Sequence, residues 1–151
     1  AEKHGVDSKR LIFANQVPHP DHLARLKLAD LFLDTFNVNA HTTTSDALWA
    51  GIPVITKIGN SFASRVAASI LKAVGLPDLI VQNEKEYENL ILEIANSPKK
   101  LIKIKETLFS NKLSKPLFNS KMYICHLEDA YKKIYENYLK GESPKTIFIK
   151  S

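Results

Sequence analysis

Apolar residues come in short runs through the first half of the chain and then at helical spacing. Leu11-Ile12-Phe13-Ala14, Leu31-Phe32-Leu33-Asp34, Pro53-Val54-Ile55-Thr56 and Leu79-Ile80-Val81 each read as a short buried strand. Between them the period changes. A helix is predicted from Asp21 to about Ala29, with Leu23 and Leu26 inward, and a second follows His41 and stops at Gly51. Ala63, Val66, Ala67, Ile70, Leu71 and Val74 mark a third, ended by Gly75. Asn83 with Glu86 is a capping-box pattern ahead of Tyr87, Leu90, Ile91 and Ile94. Ser97-Pro98 opens a helix lined by Leu101, Ile104 and Leu108. Pro116-Leu117-Phe118-Asn119 breaks it, and a last helix over about 120–140 carries Ile124, Leu127, Tyr131, Ile134 and Tyr138 before Gly141.

Strands alternating with helices predict βαβ units and a parallel sheet, so the fold class is α/β: a partial Rossmann-like sheet followed by C-terminal helices. Residues 1–9 look like a helix remnant closed by Gly5, so the chain reads as starting mid-domain. The expectation is one N-terminally truncated lobe over residues 1–151. The tail after Pro144 is expected to be loosely held.

Composition narrows the class without naming a function. At 151 residues, 44% hydrophobic and 25% charged, the chain has ordinary globular make-up and size for one core. The net charge of +5 comes largely from lysines of the C-terminal third. They lie among apolar residues at helical spacing and read as solvated faces rather than a specific nucleic-acid surface. Cys125 is alone, which rules out an intrachain disulfide and suits a reducing compartment; it reads as a buried filler. With neither a membrane span nor a signal peptide in the sequence, the expectation is a cytoplasmic protein.

The candidate chemistry sits in two loops that follow strands and precede helices. In such sheets ligands bind beyond the carboxyl ends of the strands. His41-Thr42-Thr43 stands at a helix start, where unpaired N–H groups and the positive end of the dipole favour a phosphate. Asp46 can turn back to cap that start or accept from a ribose hydroxyl. A capping box without a ligand explains the same spacing. The second loop holds Val17-Pro18-His19-Pro20-Asp21-His22. Here an imidazole can meet a base, main chain near Val17 can pair with a base edge, and Arg25 can reach a phosphate or ribose. A proline-stiffened loop with solvated histidines is the plainer alternative. His19, His22 and His41 lack the acidic cluster that a metal site would add. A Walker-type loop, a Gly-x-Gly-x-x-Gly fingerprint and a nucleophile elbow are all absent. Trp49 and Tyr87 read as core rather than platform, and Arg65 as the partner of a carboxylate that holds its helix rather than as a ligand contact.

An ordered series of motifs carries a resemblance. Arg10-Leu11-Ile12-Phe13, Val17-Pro18, His22, Leu28-Ala29-Asp30 and Leu33-Asp34-Thr35 lead to His41-Thr42-Thr43, Asp46, Leu48-Trp49-Ala50-Gly51 and Pro53. Ala63-Ser64-Arg65-Val66-Ala67-Ala68-Ser69 and Pro116-Leu117-Phe118-Asn119 complete it. Together they resemble the C-terminal catalytic lobe of the protein O-linked N-acetylglucosamine transferase family, including the SPINDLY-type proteins (glycosyltransferase family 41).

The resemblance implies a GT-B architecture whose second lobe holds the UDP of a UDP-sugar. It places Val17, Pro18 and His19 by the uracil and His22, Leu23, Ala24 and Arg25 by the nucleoside. His41, Thr42 and Thr43 fall at the diphosphate, and Asp46 at the ribose. It implies metal-free transfer of N-acetylglucosamine from UDP-N-acetylglucosamine to serine or threonine hydroxyls, with no cofactor, and GDP-fucose as the donor of some relatives. His19 stands where a lysine is expected, and Thr44-Ser45 where a glycine and an apolar residue are expected. A donor-binding lysine, the N-terminal lobe and the tetratricopeptide repeats that recruit acceptor proteins would lie outside these residues. No residue here is a good general base for a protein hydroxyl.

Three readings follow. The first is the donor-binding part of a protein O-glycosyltransferase, inactive by itself. The second is a non-catalytic α/β interaction module, and the third another GT-B nucleotide-sugar enzyme such as an epimerase. A lobe cut before its first strands would expose apolar surface, so self-association is expected.

Overall fold

The computed structural model describes residues 1–149. Its sheet has three parallel strands in the order β1-β2-β3: β1 Phe32–Leu33, β2 Val54–Lys57 and β3 Ile80–Val81. Phe32 pairs with Val54 and Leu33 with Ile55; Thr56 pairs with Ile80 and Lys57 with Val81. Val54, Ile55 and Thr56 are all fully buried although successive side chains alternate faces. Both faces of β2 are therefore covered, as in parallel α/β sheets.

The described residues also form six α-helices: α1 His19–Leu26, α2 Thr42–Ala50, α3 Val66–Ala73, α4 Glu84–Ala95, α5 Pro98–Lys112 and α6 Ser120–Leu139. The core joins Leu48 of α2, the β2 residues, Leu71 of α3, Ile94 of α4 and Leu108 of α5. Leu26 packs against it, whereas Leu23 is only half-buried. Gly51 closes α2 at φ 90°, a left-handed conformation that costs glycine least. The predicted pattern at α4 is present in detail. Asn83 Oδ1 accepts the Glu86 N–H at 2.9 Å, and Glu86 Oε2 accepts the Gln82 N–H at 2.8 Å.

Several expectations fail. Residues 11–14 are not a strand: Ile12 and Phe13 are 87% and 91% exposed. A strand needs a ladder partner, and β1 on that side of the sheet pairs only with β2 among the described residues. The first residues form two short 3-10 turns, Glu2–His4 and Ser8–Arg10, rather than one helix remnant, although Gly5 does close the first. The first α-helix starts earlier than predicted, at His19, and ends at Leu26. The third starts later, at Val66, because residues 59–65 form a serine-braced turn.

Cys125 is exposed rather than a buried filler, and the Ile124, Leu127, Tyr131, Ile134 and Tyr138 face is exposed with it. None of the residues of α6 is buried. Trp49 is half-exposed, edge-on to Phe118 at 5.2 Å and beneath Lys112 Nζ at 4.8 Å, whereas Tyr87 is buried as predicted. Arg65 is exposed, with no carboxylate at ion-pair distance among the described residues. None of the described helices is long and apolar enough to cross a membrane.

Candidate functional site

The chain leaves β1 through Asp34, and the 35–40 loop delivers it to the start of α2. Its three threonines divide. Thr44 is buried and donates its hydroxyl to Ala40 O at 2.7 Å, while Thr42 and Thr43 are exposed. The Thr44 and Ser45 N–H groups donate to His41 O at 3.1 and 3.3 Å. The N–H groups of Thr42 and Thr43 precede these first helical bonds and lie at the positive end of the helix. His41 is the N-cap residue but makes no side-chain cap. Its ring lies 3.3 Å from Ala63 O through Nε2 and edge-on to Phe62, centroid to centroid 6.1 Å. Asp46 does not turn back to the helix start, so the capping-box alternative fails: its side chain points to the neighbouring loop.

That loop is built on Pro18, which caps α1, with a second proline at Pro20. Proline at a first turn costs no hydrogen bond, because those N–H groups have no helical partner. Arg25 folds back and donates from Nη1 to Asn15 O at 2.7 Å, tying the 15–18 segment to α1. Its Nη2 lies 3.2 Å from His22 Nδ1. A guanidinium has no acceptor, so His22 Nδ1 carries the lone pair and a neutral His22 has its proton on Nε2.

His19 Nε2 lies 3.4 Å from Asp46 Oδ1, which joins the α1 loop to α2. His19 is largely exposed and Asp46 largely buried, at 65% and 18% for the side chains. Val17 and Pro18 are exposed beside them, while Leu23 and Ala24 belong to the middle of α1. The structure thus joins the α1 loop to α2 through His19 and Asp46, with His22 and Arg25 along α1 and His41, Thr42 and Thr43 at the start of α2.

Two cavities are lined by other residues. One of about 550 Å³, lined by Lys57, Asn60, Ser64 and Gln82 among others, sits past the ends of β2 and β3. Another of about 430 Å³ lies along α3 beside Phe62 and Arg65.

Sequence reasoning missed the residues beneath this surface. Asp34 is 4% exposed, and its carboxylate accepts from Ala40 N–H at 2.7 Å, Thr35 N–H at 2.9 Å and the Thr56 hydroxyl at 2.6 Å. Asn39 is buried as well. Its N–H donates to Ala63 O at 2.9 Å and its Nδ2 to Thr35 O at 2.7 Å, while its Oδ1 has no partner among the described residues. The available signal was a carboxylate ending an apolar strand six residues before the loop's last residue.

Residues 1–127 match the family profile described as glycosyl transferase family 41. Over 137 residues the chain is 34% identical to UDP-N-acetylglucosamine–peptide N-acetylglucosaminyltransferase of Caenorhabditis elegans, covering 91% of this chain and 12% of that protein. It is 36% identical to the probable enzyme SEC and 35% identical to the probable enzyme SPINDLY, both of Arabidopsis thaliana. Those matches cover 96% and 95% of this chain but 15% and 16% of the relatives. The chain therefore spans about a sixth or less of the length of these curated relatives. Among solved structures, an O-GlcNAc transferase variant of Thermobaculum terrenum superposes with a TM-score of 0.84 at 31% identity, over 90% of this chain and 26% of that one.

Proposed function

The chain belongs to glycosyl transferase family 41, and from that premise we propose that it is the donor-binding part of a protein O-glycosyltransferase. Its donor is a UDP-sugar, with UDP-N-acetylglucosamine the leading candidate and GDP-fucose the alternative. Residues 1–151 act as one nucleotide-sugar-binding lobe. The loop around Val17, Pro18 and His19 receives the base, and His22 to Arg25 line the nucleoside. Asp46 accepts from a ribose hydroxyl, and His41, Thr42 and Thr43 hold the diphosphate. The acceptor is a serine or threonine hydroxyl of a protein, engaged through parts of the enzyme outside these residues.

The observation that carries this reading is the 3.4 Å approach of His19 to Asp46. It supports the reading because the loop proposed for base and nucleoside then lies directly beside a helix start with unpaired N–H groups. The chemistry then follows from charge. As the bond from the sugar's anomeric carbon to the diphosphate oxygen breaks, negative charge grows on the leaving nucleotide. Preorganised N–H groups, two threonine hydroxyls and the helix dipole oppose that charge without reorganising. The same donors make a metal ion unnecessary for leaving-group stabilisation, and the activity needs no cofactor.

Titration with UDP and GDP, followed through backbone amide NMR shifts, tests the assignment. UDP is expected to move the amides of Thr42, Thr43 and Asp46 at lower concentration than GDP. Silence at all three with both nucleotides overturns it.

A further inference from the structure

We propose that Asp34 is a positioning residue for the donor's diphosphate, acting through the 35–40 loop rather than by touching the ligand. The inference rests on the donor-site reading above. Asp34 stands at the end of β1, where its own N–H donates to Ile55 O at 3.1 Å and fixes it to the sheet. From there one carboxylate oxygen holds both ends of the loop, Thr35 N–H and Ala40 N–H. The other oxygen is held by the Thr56 hydroxyl on β2. Ala40 is the residue before His41, and its carbonyl accepts from Thr44 in the first turn of α2. A rigid path therefore runs from the sheet through Asp34 and Ala40 to the amides of Thr42 and Thr43. The loop's outer side is pinned separately, where the Asn39 N–H meets Ala63 O.

The two halves of the proposed site meet at His19 and Asp46 but are held from different places. The α1 loop is held by Arg25 on Asn15 O, with no bond to Asp34. Only the α2 start depends on the Asp34 carboxylate. A side chain that merely stabilised the core would weaken every ligand alike, whereas a positioning residue weakens the phosphate-bearing one.

The test compares uridine with UDP on the full chain, by calorimetric titration of the wild type, Asp34→Ala, Asp34→Asn and Thr56→Val. Asp34→Ala is expected to weaken UDP by roughly tenfold or more, equivalent to one charged hydrogen bond, with uridine, which meets α2 only through Asp46, weakened clearly less. Asp34→Asn keeps an acceptor toward Thr35 and Ala40 and is expected to restore most of the UDP affinity. Thr56→Val, which frees one carboxylate oxygen at nearly constant volume, should show a smaller loss of the same selective kind. Should Asp34→Ala fail to fold, Thr56→Val decides. Folded variants with the wild-type ratio of UDP to uridine affinity overturn the inference alone. A wild type that binds neither ligand overturns the donor-site reading, and this inference with it.

Discussion

Tyr87 on α4 donates its hydroxyl to the main-chain carbonyl of Asp34 at 2.9 Å. The bond joins the end of β1 to a helix 53 residues later in the chain. Tyr87 is also edge-on to Phe36, with ring centroids 5.0 Å apart, so α4 grips the loop on both sides of Thr35.

Burial, and next the charge of Asp34, push the Tyr87 phenol up from 10.0 to about 12. A pKa raised in the folded state gives stability that is complete below the unfolded value and lost as pH rises through the folded one. Stability should therefore fall between about pH 10 and 12. Tyr87→Phe should cost about 1 kcal/mol at neutral pH, for one lost hydrogen bond and a carbonyl left without its partner. It should also flatten the Tyr87 part of the alkaline fall. Urea unfolding of both proteins at pH 7 and across the alkaline range measures the two effects.

His19 makes a different kind of contact. It is mostly exposed, and its one bond to Asp46 is long. His19→Ala should change stability by less than about 0.5 kcal/mol, as surface substitutions do. Under the donor reading it should still weaken UDP and uridine together, because it removes the base-side wall. Thermal unfolding alongside nucleotide titration separates these outcomes. An unchanged affinity would remove His19 from the site.

Local signals survived the step from sequence to structure best. The α4 cap was legible because Asn83 and Glu86 act on backbone within four residues. The α2 stop was legible because Gly51 supplies a left-handed turn. Residues 11–14 misled for the opposite reason. Leu11, Ile12 and Phe13 have strand composition, but a strand is defined by its neighbour, and composition cannot show one. The α6 stripe failed likewise, since spacing shows that a face is apolar but not that anything covers it. In the site, the two loops and their shared end of the sheet were readable from element order. The division of Thr42 and Thr43 from Thr44 was not, because it depends on where the Ala40 carbonyl lies. Asp34 was quoted within a motif, yet its role needs Ala40 and Thr56 in space.

The α4 cap offers a test of those local rules away from the site. Asn83→Ala removes the acceptor of the Glu86 N–H and should cost about 1 kcal/mol. Asn83→Asp keeps the acceptor at a helix start but replaces the Nδ2 donor, 2.8 Å from Glu86 Oε1, with a carboxylate oxygen, so it should recover only part of that loss. Guanidinium unfolding curves with matched slopes would establish both. Equal losses in the two variants would show that the cap bond contributes little.

The exposed apolar surface carries the last prediction. Ile12 and Phe13 on one segment, and Ile124, Tyr131, Ile134 and Tyr138 on α6, leave large side chains in water. Apolar patches of that kind drive association. On α6 the exposed positions recur at spacings of three and four, so they form one stripe on a helix of 20 residues. A second copy can lay its own stripe against it, burying aromatic and aliphatic groups on both sides. The isolated chain should therefore sediment with a weight-average mass that rises with concentration. Tyr131→Glu with Ile134→Lys should lower that mass if α6 is the contact, because each places a charge at the centre of the stripe. Neither side chain is buried in the single chain, so the fold should hold and circular dichroism should be unchanged. A monomer at every concentration would show that the stripe does not self-pair. A double variant that associates as strongly as the wild type would move the contact to residues 11–13.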